Sequence, residues 1–85
     1  PMSTQTQIVI NCDEENNAGD WWTAALAADK TGLPASCVGL VHGTTDRVTV
    51  SAEDAELFRA WGSALPGWAN GPSYAAEPFV FNPAE

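Results

Sequence analysis

Basic side chains are scarce in this chain of 85 residues, which has three Lys and Arg residues against eleven Asp and Glu. The formal net charge is −8 at pH 7. A field of that sign repels nucleic-acid phosphates and anionic membrane surfaces, so we expect neither direct nucleic-acid binding nor membrane docking. The charge favours a basic protein partner instead, held by an attraction that added salt weakens.

Cysteine is also rare, and long apolar runs are missing. Cys12 and Cys37 are too few for a disulfide scaffold. No apolar run approaches the ~18 residues of a membrane span, and the first residues lack a secretory-signal pattern. We therefore expect a cytoplasmic protein with free thiols. The length and the 45% apolar content predict one domain over residues 1–85, frayed at 1–5 and 83–85.

Histidine occurs once, so any catalytic triad would depend on His42. No nucleophile motif surrounds it, and the acidic field would raise the pKa of either cysteine thiol rather than activate it. We predict no enzymatic activity and no cofactor. A small enzyme using His42 remains a third alternative.

One segment has part of the spacing of a calcium-binding loop. Asp13, Glu15 and Asn17 alternate as the first ligands of such a loop do, but the loop also requires Gly at its sixth position and Glu at its twelfth. Those positions hold Ala18 and Ala24. We therefore predict no metal site.

The order of the predicted elements indicates an α+β fold. β-Branched and alternating apolar residues predict strands, whereas Ala-rich and i, i+3, i+7 apolar patterns predict helices. Ser51 followed by Asp54 favours a helix start, and Phe58, Trp61 and Leu65, widened by Leu57, form its apolar stripe. The predicted strands cover residues 6–12, 36–42, 47–51 and 79–81, and the predicted helices run from about residue 20 to 30 and from 52 to 65.

The resulting order is β-α-β-β-α-β, the ferredoxin-like arrangement in which two helices cover one face of a four-stranded antiparallel sheet. Crossover handedness would place the first and third strands side by side and parallel at the centre. The chain would then leave both strands at the same end of the sheet. Two acidic runs, one after each strand, are expected to meet there as one acidic pole.

Seven carboxylates make up these two runs. Acids in the first turn of a helix offset the helix dipole, and this structural explanation covers Asp20, Glu53 and Asp54. It does not cover three consecutive acids in a loop. The other interpretation is that the pole imitates the closely spaced phosphates of a duplex and binds a basic groove. The predicted partner-binding residues, with Trp21 as an aromatic anchor, are Asp13, Glu14, Glu15, Asp20, Trp21, Glu53, Asp54 and Glu56.

In size and acidity the chain resembles small phage-encoded inhibitors of host defence, including anti-CRISPR proteins and other nucleic-acid mimics. The resemblance is to a class and involves no shared motif. It implies a non-enzymatic inhibitor, acting in the host cytoplasm, that blocks the groove of a basic nucleic-acid-handling protein such as a CRISPR effector. A second hypothesis is a small oligomerisation or regulatory module. Such a module would pair through its open sheet face, where Val9 and Val80 add apolar area.

The remaining aromatic residues are divided between core and surface. Helical spacing places Trp22, Phe58 and Trp61 in the core. Trp21 and Trp22 point about 100° apart on a helix, so one of them should be more exposed. Trp68 is expected to close the core, and Tyr74 is a weaker anchor candidate.

Overall fold

A computed structural model describes residues 5–11, 19–68 and 77–84 of the chain. Its elements follow in the order β-α-3₁₀-α-β-α-β. Among the helices of these ranges, none has the length and hydropathy of a membrane span. The elements are β1 (Gln5–Ile10), α1 (Gly19–Ala27), a 3₁₀ turn (Ala35–Cys37), α2 (Val38–His42), β2 (Arg47–Ser51), α3 (Ala52–Ser63) and β3 (Phe79–Ala84).

In the described part of the chain the sheet has three strands in the order β2-β1-β3, and β1 is antiparallel to both neighbours. Ile8 lies opposite Val48 on one side and Phe81 on the other, and these three side chains face the helices. The alternate positions form the opposite face, which no described helix covers. The fold class α+β is correct, but the predicted four-stranded ferredoxin-like sheet with two helices is wrong.

The error begins at residues 36–42, which form the end of the 3₁₀ turn and the short helix α2 instead of a strand. The buried residues of this segment are Cys37, Leu40 and Val41, and their i, i+3, i+4 spacing is helical. Gly43 then ends α2 in the left-handed conformation, with φ of 75°. The apolar run at residues 36–42 is short enough to fit either the strand period or the helix period. The burial of Cys37, Leu40 and Val41 fits the helix period.

Loss of that strand changes the direction of the central pair. β1 and β2 run antiparallel, with Gln5 opposite Ser51 and Val9 opposite Arg47. The first strand and the strand at residues 47–51 were predicted to be parallel, which is wrong. The chain therefore enters β2 beside the end of β1 and leaves β2 beside the start of β1.

Aromatic rings fill the core between the sheet and the helices. Trp21 is fully buried, and its ring centroid lies 5.1 Å from that of Phe79 and 6.4 Å from that of Phe58, in edge-to-face geometry. Trp68 is buried beside it, as predicted, with a centroid distance of 5.7 Å. Edge-to-face packing of this kind adds ~0.5–1.5 kcal/mol per pair beyond the burial of apolar area.

Helix α3 has the predicted start and most of the predicted stripe. The Ser51 hydroxyl accepts a hydrogen bond from the Asp54 N–H at 3.0 Å, which caps the helix. Phe58 is fully buried, and Trp61 packs against the core. Leu57 is 47% exposed, so its assignment to the stripe was wrong.

The strand ends extend further than expected. Gln5 belongs to β1, and Pro83 and Ala84 belong to β3, although residues 1–5 and 83–85 were expected to be frayed. Residues 1–4 and 85 lie outside the described ranges.

Candidate protein-binding surface

Three of the predicted site residues lie in the first turns of α3. Glu53 and Glu56 are exposed, and Asp54 is half-buried. The Ser36 hydroxyl donates a hydrogen bond to the Asp54 carboxylate at 3.5 Å, which links the start of α3 to the 3₁₀ turn. Asp54 thus has a structural role, whereas Glu53 and Glu56 face solvent.

All three basic side chains of the chain are described, and each has contacts elsewhere. Lys30 donates hydrogen bonds to backbone carbonyls near the end of α1, including those of Leu26 and Ala28 at 3.2 and 3.1 Å. This position also suits the negative end of the helix dipole. Arg47 is 3.9 Å from the Asp46 carboxylate, an exposed and weak pair.

Arg59 makes the shortest ion pair of the described residues. Its Nη1 donates to both carboxylate oxygens of Glu77, at 2.7 and 2.8 Å. Its guanidinium also lies 4.0 Å from the centroid of the Phe81 ring. With the cations held in this way, Glu53 and Glu56 form no ion pair with any described residue. Their charge is available to a partner.

The structure does not bring together the elements that lead to the two acidic runs. The N–H of Ile10, at the end of β1, donates to the carbonyl of Asp46 at 3.0 Å, so β1 ends beside the start of β2. Glu53 follows the other end of β2. The predicted meeting of two strand ends at one pole was therefore wrong.

The starts of the two long helices are also apart. The indole N–H of Trp21, in the first turn of α1, donates to the carbonyl of Gly62 at 3.2 Å. Gly62 is nine residues after Glu53, which corresponds to ~13–14 Å along a helix at 1.5 Å per residue. The start of α1 thus lies at the far end of α3 from Glu53.

Trp21 cannot serve as an exposed anchor, because its side chain has no solvent exposure. The more exposed member of the pair is Trp22, which is half-buried and donates its indole N–H to the Leu40 carbonyl at 3.2 Å. Both indoles therefore tie α1 to its neighbours. Trp21 is removed from the candidate surface.

Several predicted residues remain without a structural description. Asp13, Glu14 and Glu15 lie outside the described residues, as does Tyr74. Asp20 belongs to α1, but its side chain is not described. A role for these acids in partner binding stays a prediction.

Cys37 and His42, the two described residues that were candidates for catalysis, lie in different environments. Cys37 is fully buried, and burial raises the pKa of its thiol, an effect to which the nearby Asp54 charge adds and which the Ser36 hydroxyl opposes. The His42 side chain is exposed and forms no hydrogen bond or ion pair with described residues. Within the same ranges, no group of three or more His, Cys, Asp or Glu side chains could hold a metal ion.

A cleft between α3 and the sheet was not anticipated from the sequence. Its volume is about 290 Å³, and α3 contributes Glu56 and Arg59 to its wall. Apolar atoms supply most of its surface. The i, i+3 spacing of Glu56 and Arg59 in the sequence indicates only that these two side chains share one side of a helix. The pairing of Arg59 with Glu77 depends on the tertiary fold. The residues that line the cleft are Gln5, Thr6, Ala52, Ala55, Glu56, Arg59, Phe81, Asn82 and Pro83.

Comparison of the chain with protein-family models, curated proteins and solved structures found no significant match. Its function is therefore inferred from its residues and their geometry.

Proposed function

We propose that this chain is a non-enzymatic protein that binds a basic surface of a cytoplasmic, nucleic-acid-handling protein and blocks it. The observation that carries the proposal is the unpaired charge at the start of α3. Glu53 and Glu56 are exposed, and the three basic side chains are engaged elsewhere. The net charge of −8 on a 9.0 kDa protein supplies the long-range attraction.

The proposed binding surface is the start of α3 and not a single pole that combines both acidic runs. The start of α3 presents its carboxylates beside one end of the sheet, and α1 begins at the other end of α3. A basic groove that normally holds phosphates would meet the carboxylates at the start of α3. A contribution from Asp13, Glu14 and Glu15 stays a prediction. The proposed biological role is that of a small phage-encoded inhibitor of host defence.

The test is capture of a partner by the immobilised chain, followed by competition. Binding should weaken between 0.15 M and 1 M salt, because the Debye length falls from about 8 to about 3 Å. Duplex DNA or RNA should displace the partner if carboxylates occupy a phosphate site. Capture that is insensitive to both salt and nucleic acid would contradict the proposal.

Charge reversals locate the surface. Glu53→Lys and Glu56→Lys should each weaken capture, whereas the matched control Asp46→Lys reverses an exposed carboxylate at the other end of β2 and should weaken it less. Equal effects of all three substitutions would mean that net charge alone determines binding, and no α3 surface would be needed.

A second candidate function is self-association through the open sheet face. Val9 and Val80 lie directly opposite each other on this face, and Val80 is 40% exposed. The described strand residues of the face include no carboxylate and one cation, Arg47. A dimer should elute at twice the monomer mass, and Val9→Lys or Val80→Lys should convert it to monomer. A monomer at all concentrations would exclude this function.

A further inference from the structure

The outer edge of β2 is largely protected. The Thr45 hydroxyl donates to the Arg47 carbonyl at 2.9 Å and accepts from the Arg47 N–H at 3.4 Å. Both outward backbone groups at the start of the strand are therefore satisfied. At the other end, Ser51 leads directly into α3. Only Thr49 presents a complete pair of outward groups on this edge.

The outer edge of β3 differs. The Ile10 N–H points to Asp46, so alternation along β1 directs the backbone of Val9 and Gln7 toward β3. Their partners, Val80 and Asn82, point inward. The residues between them therefore direct their N–H and C=O groups outward, where no described strand pairs with them.

The outward residues of β3 are Phe79, Phe81 and Pro83. Pro83 has no N–H, and its position on the outer edge explains why it does not interrupt the ladder with β1. Phe79 and Phe81 each offer one donor and one acceptor, and the Pro83 carbonyl offers a further acceptor. This short edge could accept one more strand.

The cleft lies between this strand and α3. The ring of Phe81 faces the cleft, and the Arg59 guanidinium lies over that ring. Glu56 supplies a carboxylate from α3, and the charge of Arg59 is already balanced by Glu77. A side chain entering the cleft would meet an apolar floor and one unbalanced negative charge.

We infer that β3 and this cleft bind an extended, lysine-containing segment of the basic partner, which adds to β3 as a fourth strand. Main-chain hydrogen bonds to Phe79 and Phe81 would hold the segment, and its alternate side chains would enter the cleft beside Glu56. The occupant is chosen by charge complementarity, because neither the net charge of −8 nor Glu56 suits an acidic segment. This inference rests on the proposed function, since it names the part of the partner that is recognised.

The experiment uses the full ¹⁵N-labelled chain and the blocked peptide acetyl-Lys-Val-Lys-Val-Lys-amide. Strand addition should shift the amide signals of Phe79 and Phe81 and slow their hydrogen exchange. The Thr49 amide, outward on the other edge, should be unaffected. The peptide in which Glu replaces each Lys should not bind.

Matched variants test the role of the cleft. Glu56→Gln should weaken peptide binding about two- to five-fold, as expected for loss of one partly exposed charge pair. Glu53→Gln removes a carboxylate from the same helix outside the cleft and should change affinity less. Both substitutions are at exposed positions, and unchanged spectra of the free variants would verify the fold.

Several results would overturn strand addition. Binding of the Lys peptide without protection of Phe79 and Phe81, with equal effects of the two Gln variants, would indicate diffuse attraction and leave the basic-partner proposal intact. Protection of the Phe81 amide in the free monomer would show that the chain itself covers this edge. Concentration-dependent dimerisation with that protection would identify a second copy as the occupant. Absence of peptide binding, together with salt-sensitive capture of a partner, would reject strand addition alone.

Discussion

The indole of Trp68 lies against the backbone of Gly62, so closely that a β carbon on Gly62 would be 2.8 Å from Cε3 of the ring and nearer still to Cζ3. Gly62 is buried within α3, where glycine costs about 1 kcal/mol of helix stability relative to alanine. The close approach explains why it is tolerated. The Gly62 carbonyl also accepts the Trp21 indole N–H.

Gly62→Ala is therefore expected to destabilise the protein in spite of its better helix propensity. Displacement of the buried Trp68 ring should lower the free energy of unfolding by about 1–3 kcal/mol. Urea denaturation measures the change, with Ser63→Ala, at the exposed next position, as the control. A stabilised Gly62→Ala variant would show that Trp68 does not pack against this position.

Leu57 and Phe58 are neighbours on α3 with opposite environments. Leu57→Lys should change the free energy of unfolding by less than about 0.5 kcal/mol, because the side chain is largely in solvent. Phe58→Ala should lower it by about 3–5 kcal/mol through lost burial and a cavity. Thermal denaturation of both variants tests the corrected orientation of α3, which a large loss in Leu57→Lys would contradict.

Burial of Cys37 predicts a dependence of stability on alkaline pH. Desolvation raises the pKa of the folded thiol above its ordinary value of 9.0. The unfolded thiol ionises first, so this stabilising contribution is complete below pH 9.0 and is lost as the pH rises through the folded pKa. The free energy of unfolding should fall more steeply above pH 9 in the parent chain than in Cys37→Ala. Parallel slopes would mean that the thiol is accessible in the folded state.

Arg59 and Glu77 join α3 to the residue before Pro78 and β3. Both side chains are about one-third exposed, at 36% and 33%, so solvent screens the pair. A double-mutant cycle with Arg59→Gln and Glu77→Gln should give a coupling energy of about 0.5–1 kcal/mol that decreases with added salt. The exposed pair Arg47 and Asp46 is the control and should give a coupling near zero. Coupling that salt does not change would indicate a less screened pair than these exposures imply.

Local patterns predicted the elements whose apolar spacing is long or whose ends are marked. Strand β2 has the predicted bounds, and the Ser51 cap and the buried positions of Phe58 and Trp61 follow the predicted start and period of α3. The strand predicted at residues 36–42 was wrong, because seven residues are too few to distinguish the strand period from the helix period. The prediction that Leu57 faces the core was wrong, because the apolar stripe of α3 that packs against the core is narrower than predicted.

The candidate site was predicted only in part. Glu53 and Glu56 are exposed at the start of α3, where the sequence placed them. The burial of Trp21 was missed, because the 100° separation from Trp22 shows that the two rings diverge but not which one faces the core. Arg59 pairs with Glu77, 18 positions away, and the residues that line the cleft range from Gln5 to Pro83, so the local spacing of Glu56 and Arg59 was not enough to predict either feature.

The sequence by itself determined the charge of the molecule, the scarcity of basic residues and the positions of most helices and strands, because composition and side-chain period are local properties. Only the tertiary structure decided that β1 and β2 run antiparallel, that Trp21 is the buried indole, and that β3 has an outward edge beside a cleft. Strand direction follows from how the intervening chain packs. Because residues 38–42 form a helix that packs against α1, they do not form the predicted strand. β1 and β2 are then antiparallel, and their carboxyl ends lie at opposite ends of the sheet.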